Sequence, residues 1–192
     1  MFYKKGEHLL KNLWITGYRS YELGIFKDDD LKVKVIKNYF KNRIINYIEN
    51  GVEWILTGAN LGTEMIIGEV VEELKQENYQ IELAVIIPYQ NFEGNWNDNN
   101  KQKLNIFLRK ADYFSYLSDL SYTNYVQLIN WQSFMLKHTD GVLMFYDLEN
   151  VGKPKYDYEA VIKYIEKNPD YSLELVDFDS MQDFANSMFD NY

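Results

Sequence analysis

Residues 53–76 read EWILTGANLGTEMIIGEVVEELKQ, and their pattern sets the architecture. Glu53–Thr57 is a short run rich in apolar and β-branched residues, the signature of a buried strand. It ends at Gly58, and a second glycine, Gly62, precedes a change of period. From there Ile67, Val70, Val71 and Leu74 recur at helical spacing, while Glu69, Glu72, Glu73 and Gln76 fall on the opposite face. Strand, glycine-bearing turn and amphipathic helix in that order make the first half of a βαβ crossover.

The same alternation extends in both directions. Leu13–Thr16, Ile81–Ile87, Tyr113–Leu117, Val142–Tyr146 and Leu173–Val176 read as further strands. Ile36, Phe40, Ile44 and Ile48 predict a helix from about Asp30 to Glu49, and weaker repeats mark helices at Leu104–Leu108, Val126–Met135 and Tyr158–Ile165. Such alternation favours right-handed crossovers and an α/β fold: a doubly wound, mostly parallel sheet flanked by helices on both faces. A ferredoxin-like arrangement is the alternative. No Pro-, Gly- or Ser-rich linker interrupts the pattern, so residues 1–192 are expected to form a single domain, with 179–192 as a peripheral C-terminal tail. Pro88 to Asn100, carrying Tyr89, Phe92 and Trp96 among many Asn, reads as a loop that either overhangs a pocket or is a solvated connection.

Charge and composition exclude several classes. With 29 acidic against 20 basic residues the formal net charge is −9, which opposes extended contact with a nucleic-acid backbone. No apolar run approaches the roughly 20 residues that span a bilayer, so no membrane partner is expected. The chain has no Cys and two His; His8 and His138 are far apart and form no HExxH pattern, so no metal site is expected. Met1 to Asn12 lacks the apolar stretch of a secretory signal, and the expected compartment is cytoplasmic. Seventeen Tyr and eleven Phe chiefly serve packing, although Tyr122, Tyr125 and Trp131 could instead dock a protein partner.

In an open parallel sheet, ligands sit beyond the carboxyl ends of the strands. After the first strand, Gly17 permits a tight exit and Tyr18-Arg19 follow; the Arg19 guanidinium suits phosphate or carboxylate, or else forms a structural ion pair. After the second come Gly58, Asn60, Gly62, Thr63 and Glu64. Glycines there allow a ligand close to backbone N–H groups at a helix start. Glu64 opposes an adjacent anion but could accept from a ribose diol; the plain reading is that Thr63 and Glu64 only begin the helix. After the fifth strand, Gly152-Lys153-Pro154-Lys155-Tyr156 leads into another helix; its lysines read as solvated, with closure over a phosphate the alternative.

Ile15-Thr16-Gly17-Tyr18-Arg19, Tyr21-Glu22-Leu23-Gly24-Ile25-Phe26, Gly58-x-x-x-Gly62-x-Glu64, Pro88-Tyr89, Trp96, Asp140-Gly141 and Gly152-Lys153-Pro154-Lys155-Tyr156 together resemble the YpsA-like family of Gram-positive bacteria, within the SLOG superfamily of Rossmann-like domains that includes DprA-type proteins and LOG phosphoribohydrolases. The resemblance implies a pocket for a nucleotide-derived ligand, ADP-ribose- or NAD-like, with Gly62 and Glu64 in the family's glycine-acid motif, and it links the chain to cell division. LOG enzymes carry a Gly-Gly-x-Gly-Thr-x-x-Glu motif; here the acid is displaced towards the helix start and the paired glycines are missing.

The leading expectation is therefore a nucleotide-ligand sensor using Gly17, Tyr18, Arg19, Gly58, Asn60, Gly62, Thr63, Glu64, Pro88 and Trp96. The alternatives are a phosphoribohydrolase-like N-glycosidase with Glu64 as its catalytic candidate, and a protein-interaction module. Homo-oligomers are common among related folds, so self-association is a further expectation.

Overall fold

The computed structural model describes residues 10–190. His8, the rest of residues 1–9, and residues 191–192 lie outside the described residues, and so do the readings placed on them.

Six strands form one sheet: β1 (Asn12–Gly17), β2 (Trp54–Thr57), β3 (Glu82–Ile87), β4 (Tyr113–Tyr116), β5 (Gly141–Phe145) and β6 (Ser172–Val176). Their spatial order is β4-β3-β2-β1-β5-β6, and every pairing is parallel. An all-parallel sheet removes the ferredoxin-like alternative, which needs antiparallel neighbours. Among the described residues six helices alternate with the strands: α1 (Leu31–Glu49), α2 (Thr63–Gln76), α3 (Asp98–Lys110), α4 (Val126–His138), α5 (Lys155–Ile165) and α6 (Phe178–Asp190).

The chain steps outward from β1 to β4, then returns to place β5 on the other side of β1. Right-handed crossovers taken in opposite directions put their helices on opposite faces. Accordingly α6, α1, α2 and α3 lie side by side on one face, while α4 and α5 pair on the other. This is the doubly wound, Rossmann-like arrangement.

Both faces of β1 are covered, which is why Leu13, Trp14 and Ile15 are fully buried and the run is continuously apolar rather than alternating. Trp14 meets Trp131 of α4 edge-to-face, with ring centroids 5.6 Å apart. Trp131 is therefore a core residue rather than a docking aromatic, its indole N–H donating to the Ile86 carbonyl at 2.7 Å. Asp30 caps α1 by accepting from the Lys32 N–H, which fixes the helix start where the sequence pattern placed it.

Two expectations change. Of the stretch 179–192, read as a tail, residues 179–190 supply most of α6; Met181 is buried and Phe184 packs edge-on against Tyr39 of α1. An apolar stripe in a short terminal segment is enough to dock it. The irregular stretch after Pro88 ends at Asn97, whose side chain caps α3 by accepting from the Asn100 N–H, because Asn favours a cap over a loop interior when a helix follows.

Candidate functional site

The strand order reverses between β1 and β5, so the crevice at their carboxyl ends is where this topology opens. Tyr18 braces it. Its hydroxyl donates to the Asn150 carbonyl at 2.6 Å and accepts from the Asp147 N–H at 3.0 Å, and its ring stacks on Phe178. Burial pushes the Tyr18 hydroxyl up to about 12. Tyr18 thus ties the loop after β1 to the loop after β5 and stays a neutral donor.

The segment after Tyr18 fills the amino end of α2. Thr63 donates through both its N–H and its hydroxyl to the Tyr18 carbonyl, at 3.1 and 2.9 Å, and the Ser20 N–H donates to the Leu61 carbonyl at 2.9 Å. Gly62 makes this contact possible: its φ is +116°, and a Cβ there would lie 2.5 Å from the Ser20 nitrogen. Gly17 is equally pressed, since its Cβ would fall 2.7 Å from the Phe145 Cβ. The helix start that could have cradled an anion is occupied by the protein's own backbone.

Glu64 is also engaged internally. Only 1% exposed, its carboxylate accepts from the Thr16 hydroxyl at 2.8 Å, the Asn60 N–H at 2.6 Å and the Asn60 amide group at 2.9 Å. The carboxylate sits where a side chain on Gly58 would be, 2.5 Å from its Cβ position. Glu64 therefore shapes the loop Gly58–Asn60 and joins it to β1; charge-assisted hydrogen bonds of this kind are among the stronger ones.

Beside this loop lies a cavity of about 520 Å³, within the range of small-molecule sites. Arg19, Gly58, Ala59 and Asn60 come from the first two loops, Pro88 and Phe92 from the loop after β3, Tyr125, Leu128, Ile129, Trp131 and Gln132 from α4 and the residue before it, and Lys153, Tyr156 and Asp157 from the start of α5. The Arg19 Nη1 is buried and has no hydrogen-bond partner among the described residues, a costly state for a guanidinium nitrogen unless a ligand satisfies it. Asp157, 5% exposed, accepts from the Gln132 amide at 2.7 Å. Burial raises its carboxyl to about 6, opposed by the positive field of Arg19 and reinforced by the negative field of Glu64. The cavity thus carries cations (Arg19, Lys153), a proton-holding acid with an amide partner (Asp157, Gln132) and aromatic rings (Phe92, Tyr125, Tyr156).

Comparison with known proteins gives the family. The family model YpsA, described as the YspA SLOG family, matches residues 13–181. The chain belongs to this YpsA-like family. A UPF0398 protein of Lactobacillus acidophilus is 46% identical over 183 residues, covering 95% of this chain and 97% of the relative. UPF0398 proteins of Ligilactobacillus salivarius and Oenococcus oeni are 47% and 45% identical over 174 and 177 residues, covering 91% and 92% of this chain and 94% of each relative. Family and fold together support a nucleotide-binding, Rossmann-like protein.

In this YpsA-like chain, Arg19, Gly58, Asn60 and Pro88 of the residues read from sequence line the cavity. Gly17, Tyr18, Gly62, Thr63 and Glu64 build the support beneath it instead. Trp96 stands one layer back, packed on Phe92 with centroids 5.6 Å apart. Asp157 and Gln132 escaped the sequence reading. Asp157 lies one turn into the helix after Pro154, and extending the inspection of each strand's exit by one helical turn would have found it; Gln132, in mid-helix, gives no local signal. No helix among the described residues is long and apolar enough to cross a membrane.

Proposed function

We propose that this cavity binds a phosphate-bearing nucleoside of the ADP-ribose or NAD type, and that the chain senses rather than consumes it. The observation that carries this reading is the buried, unpartnered Arg19 Nη1 facing the same space as Asp157. A phosphate oxygen satisfies the guanidinium, with Lys153 at the rim. Phe92, Tyr125 and Tyr156 offer faces for a base. The Asp157–Gln132 pair offers a donor and an acceptor to ribose hydroxyls or a base edge. Asn60, locked by Glu64, fixes the wall between them, so Glu64 acts by positioning the loop. Closure of the loop carrying Phe92 over a bound ligand is the change that a partner, including one in cell division, would read.

Thermal unfolding with AMP, ADP-ribose, NAD and nicotinamide tests this. At one hundred times its dissociation constant a ligand adds about 2.7 kcal/mol, which moves the midpoint of a chain this size by roughly 5–10 °C. Arg19→Ala should lose that response to the phosphorylated compounds. No shift with any of them would remove the proposal.

One observation favours a second reading. A carboxyl that keeps its proton to about pH 6 can act as a general acid near neutrality. Asp157 would protonate the departing base nitrogen as the N-glycosidic bond of a nucleoside monophosphate breaks, water would add its oxygen to C1′ of the sugar, and the proton released by that water would return to the Asp157 carboxylate. In this reading the acid is Asp157, since the Glu64 carboxylate already accepts three hydrogen bonds. Chromatography for free base after incubation with nucleoside monophosphates, NAD and ADP-ribose decides between sensing and cleavage, with Asp157→Asn as the inactive control.

A further inference from the structure

Among the described residues the two faces of the sheet are unequally covered: four helices lie on one, and α4 and α5 on the other. α4 has α5 on one flank and the uncovered edge strand β4 on the other, where Tyr113 and Phe114 are about half exposed. The helix itself is unusual. From Asp119 to Lys137 no charged side chain intervenes. It buries Gln127, Trp131 and Met135 against the sheet, yet its outer surface presents Val126, Leu128 and Ile129, continuous in sequence with exposed Leu120, Tyr122 and Tyr125. Up to Leu136 the helix carries no charge and sets apolar side chains on its outer as well as its inner side, and a helix apolar all round is ordinarily buried.

The loop leading into α4 is held rigid. The Gln127 side chain accepts from the Thr123 N–H at 2.7 Å and donates to the Ser118 hydroxyl at 2.9 Å, so Leu120 and Tyr122 are fixed beside the first turn of α4. Those six exposed apolar side chains make a patch on the order of a few hundred Å², the size at which exposed apolar surface marks an interaction site, and a standard interface adds a polar rim around such a core. Asn124 and Asn130, both exposed, supply such a rim.

We propose that a second copy of this chain covers this surface, the two α4 helices packing about a twofold axis. Charge selects the occupant. The chain carries a net charge of −9, so two copies repel over most of their surface and can approach only where neither bears charge. The face Leu120–Ile129 meets that condition, and an isologous contact pairs it with itself. A basic partner would gain nothing here and would seek the acidic faces instead. Tyr125, Leu128 and Ile129 also line the cavity, so pairing walls off its open side; that consequence rests on the proposed function, whereas the pairing does not.

Sedimentation velocity of the full chain without nucleotide, at tens of micromolar, tests the pairing. The expected result is about twice the 22.9 kDa chain mass for the wild type, and the single-chain mass for Val126→Glu and Leu120→Glu, both with unchanged circular dichroism. Phe26→Glu, on an exposed residue of the loop after β1, should remain paired. A wild type that sediments as a single chain, or one that stays paired in both α4-face variants, would overturn the proposal. Neither outcome depends on whether a nucleotide shifts the unfolding midpoint.

Discussion

Replacing Asp157 by asparagine removes a titrating carboxyl while nearly preserving its shape, and the consequence for stability can be worked out in sign and size. In the folded chain the carboxyl keeps its proton to about pH 6, whereas its ordinary value is 3.8. Between those values the folded state binds more protons than the unfolded state, so this group makes stability fall as pH rises from about 4 to about 7. A rise from 3.8 to about 6 corresponds to about 3 kcal/mol at neutral pH and above. The hydrogen bond from Gln132 survives, because an asparagine oxygen accepts as a carboxylate oxygen does. Asp157→Asn should therefore match the wild type near pH 4 and exceed it at pH 8 by up to about 3 kcal/mol, a midpoint higher by roughly 6–12 °C. Paired unfolding curves from pH 4 to 8 read this directly, since all other titrating groups are common to both proteins. A midpoint difference that stays constant across the range would refute the picture of a buried, proton-holding acid. The same variant should bind phosphorylated nucleosides more weakly, the usual exchange of stability against function in a strained site.

Arg19→Ala should unfold within a few degrees of the wild type, because Nη1 makes no hydrogen bond, yet weaken ADP-ribose binding at least tenfold by calorimetry; equal affinity would remove Arg19 from the site. Glu64→Gln breaks the match between one carboxylate and three donors, and a loss of about 2 kcal/mol should lower the midpoint by roughly 4–8 °C even without ligand, which a purely ligand-facing residue would not do. Gly62→Ala forces a side chain into φ +116° against the Ser20 nitrogen, at a backbone cost of about 1–3 kcal/mol before any clash is counted. Its denaturant midpoint should drop accordingly, and an unchanged value would show that the contact between Ser20 and Leu61 can give way.

The fold was legible because its signals are local. Strand runs and helical stripes each report which side of a segment meets apolar surroundings, and α1, capped by Asp30, starts where its pattern begins. The site was less legible. Gly17, Gly62 and Glu64 look like ligand groups in the sequence because glycine and a first-turn acid serve both binding and close packing; the close approach of Gly17 to Phe145 and of Gly62 to the Ser20 backbone, and the hydrogen bonds of Glu64 with Thr16 and Asn60, show the packing role. Asp157 carries only a weak mark in sequence, its place in the first turn of the helix that follows a strand exit, where an acid also suits the helix dipole without any ligand.

The sequence by itself determined the alternation of strands and helices, the acidic surface, and the glycine-bearing exits at which a crevice could form, because these depend on neighbours within one or two turns of chain. Only the tertiary structure decided that β5 returns beside β1, bringing Arg19, Gln132 and Asp157 around one cavity. It also decided that Glu64 spends its carboxylate on Thr16 and Asn60, and that α4 turns an uncharged face to solvent. Burial and field at those groups come from segments brought together across the chain, 48 residues apart for Thr16 and Glu64 and more than a hundred for Arg19 and Asp157, and no local pattern encodes such a distance.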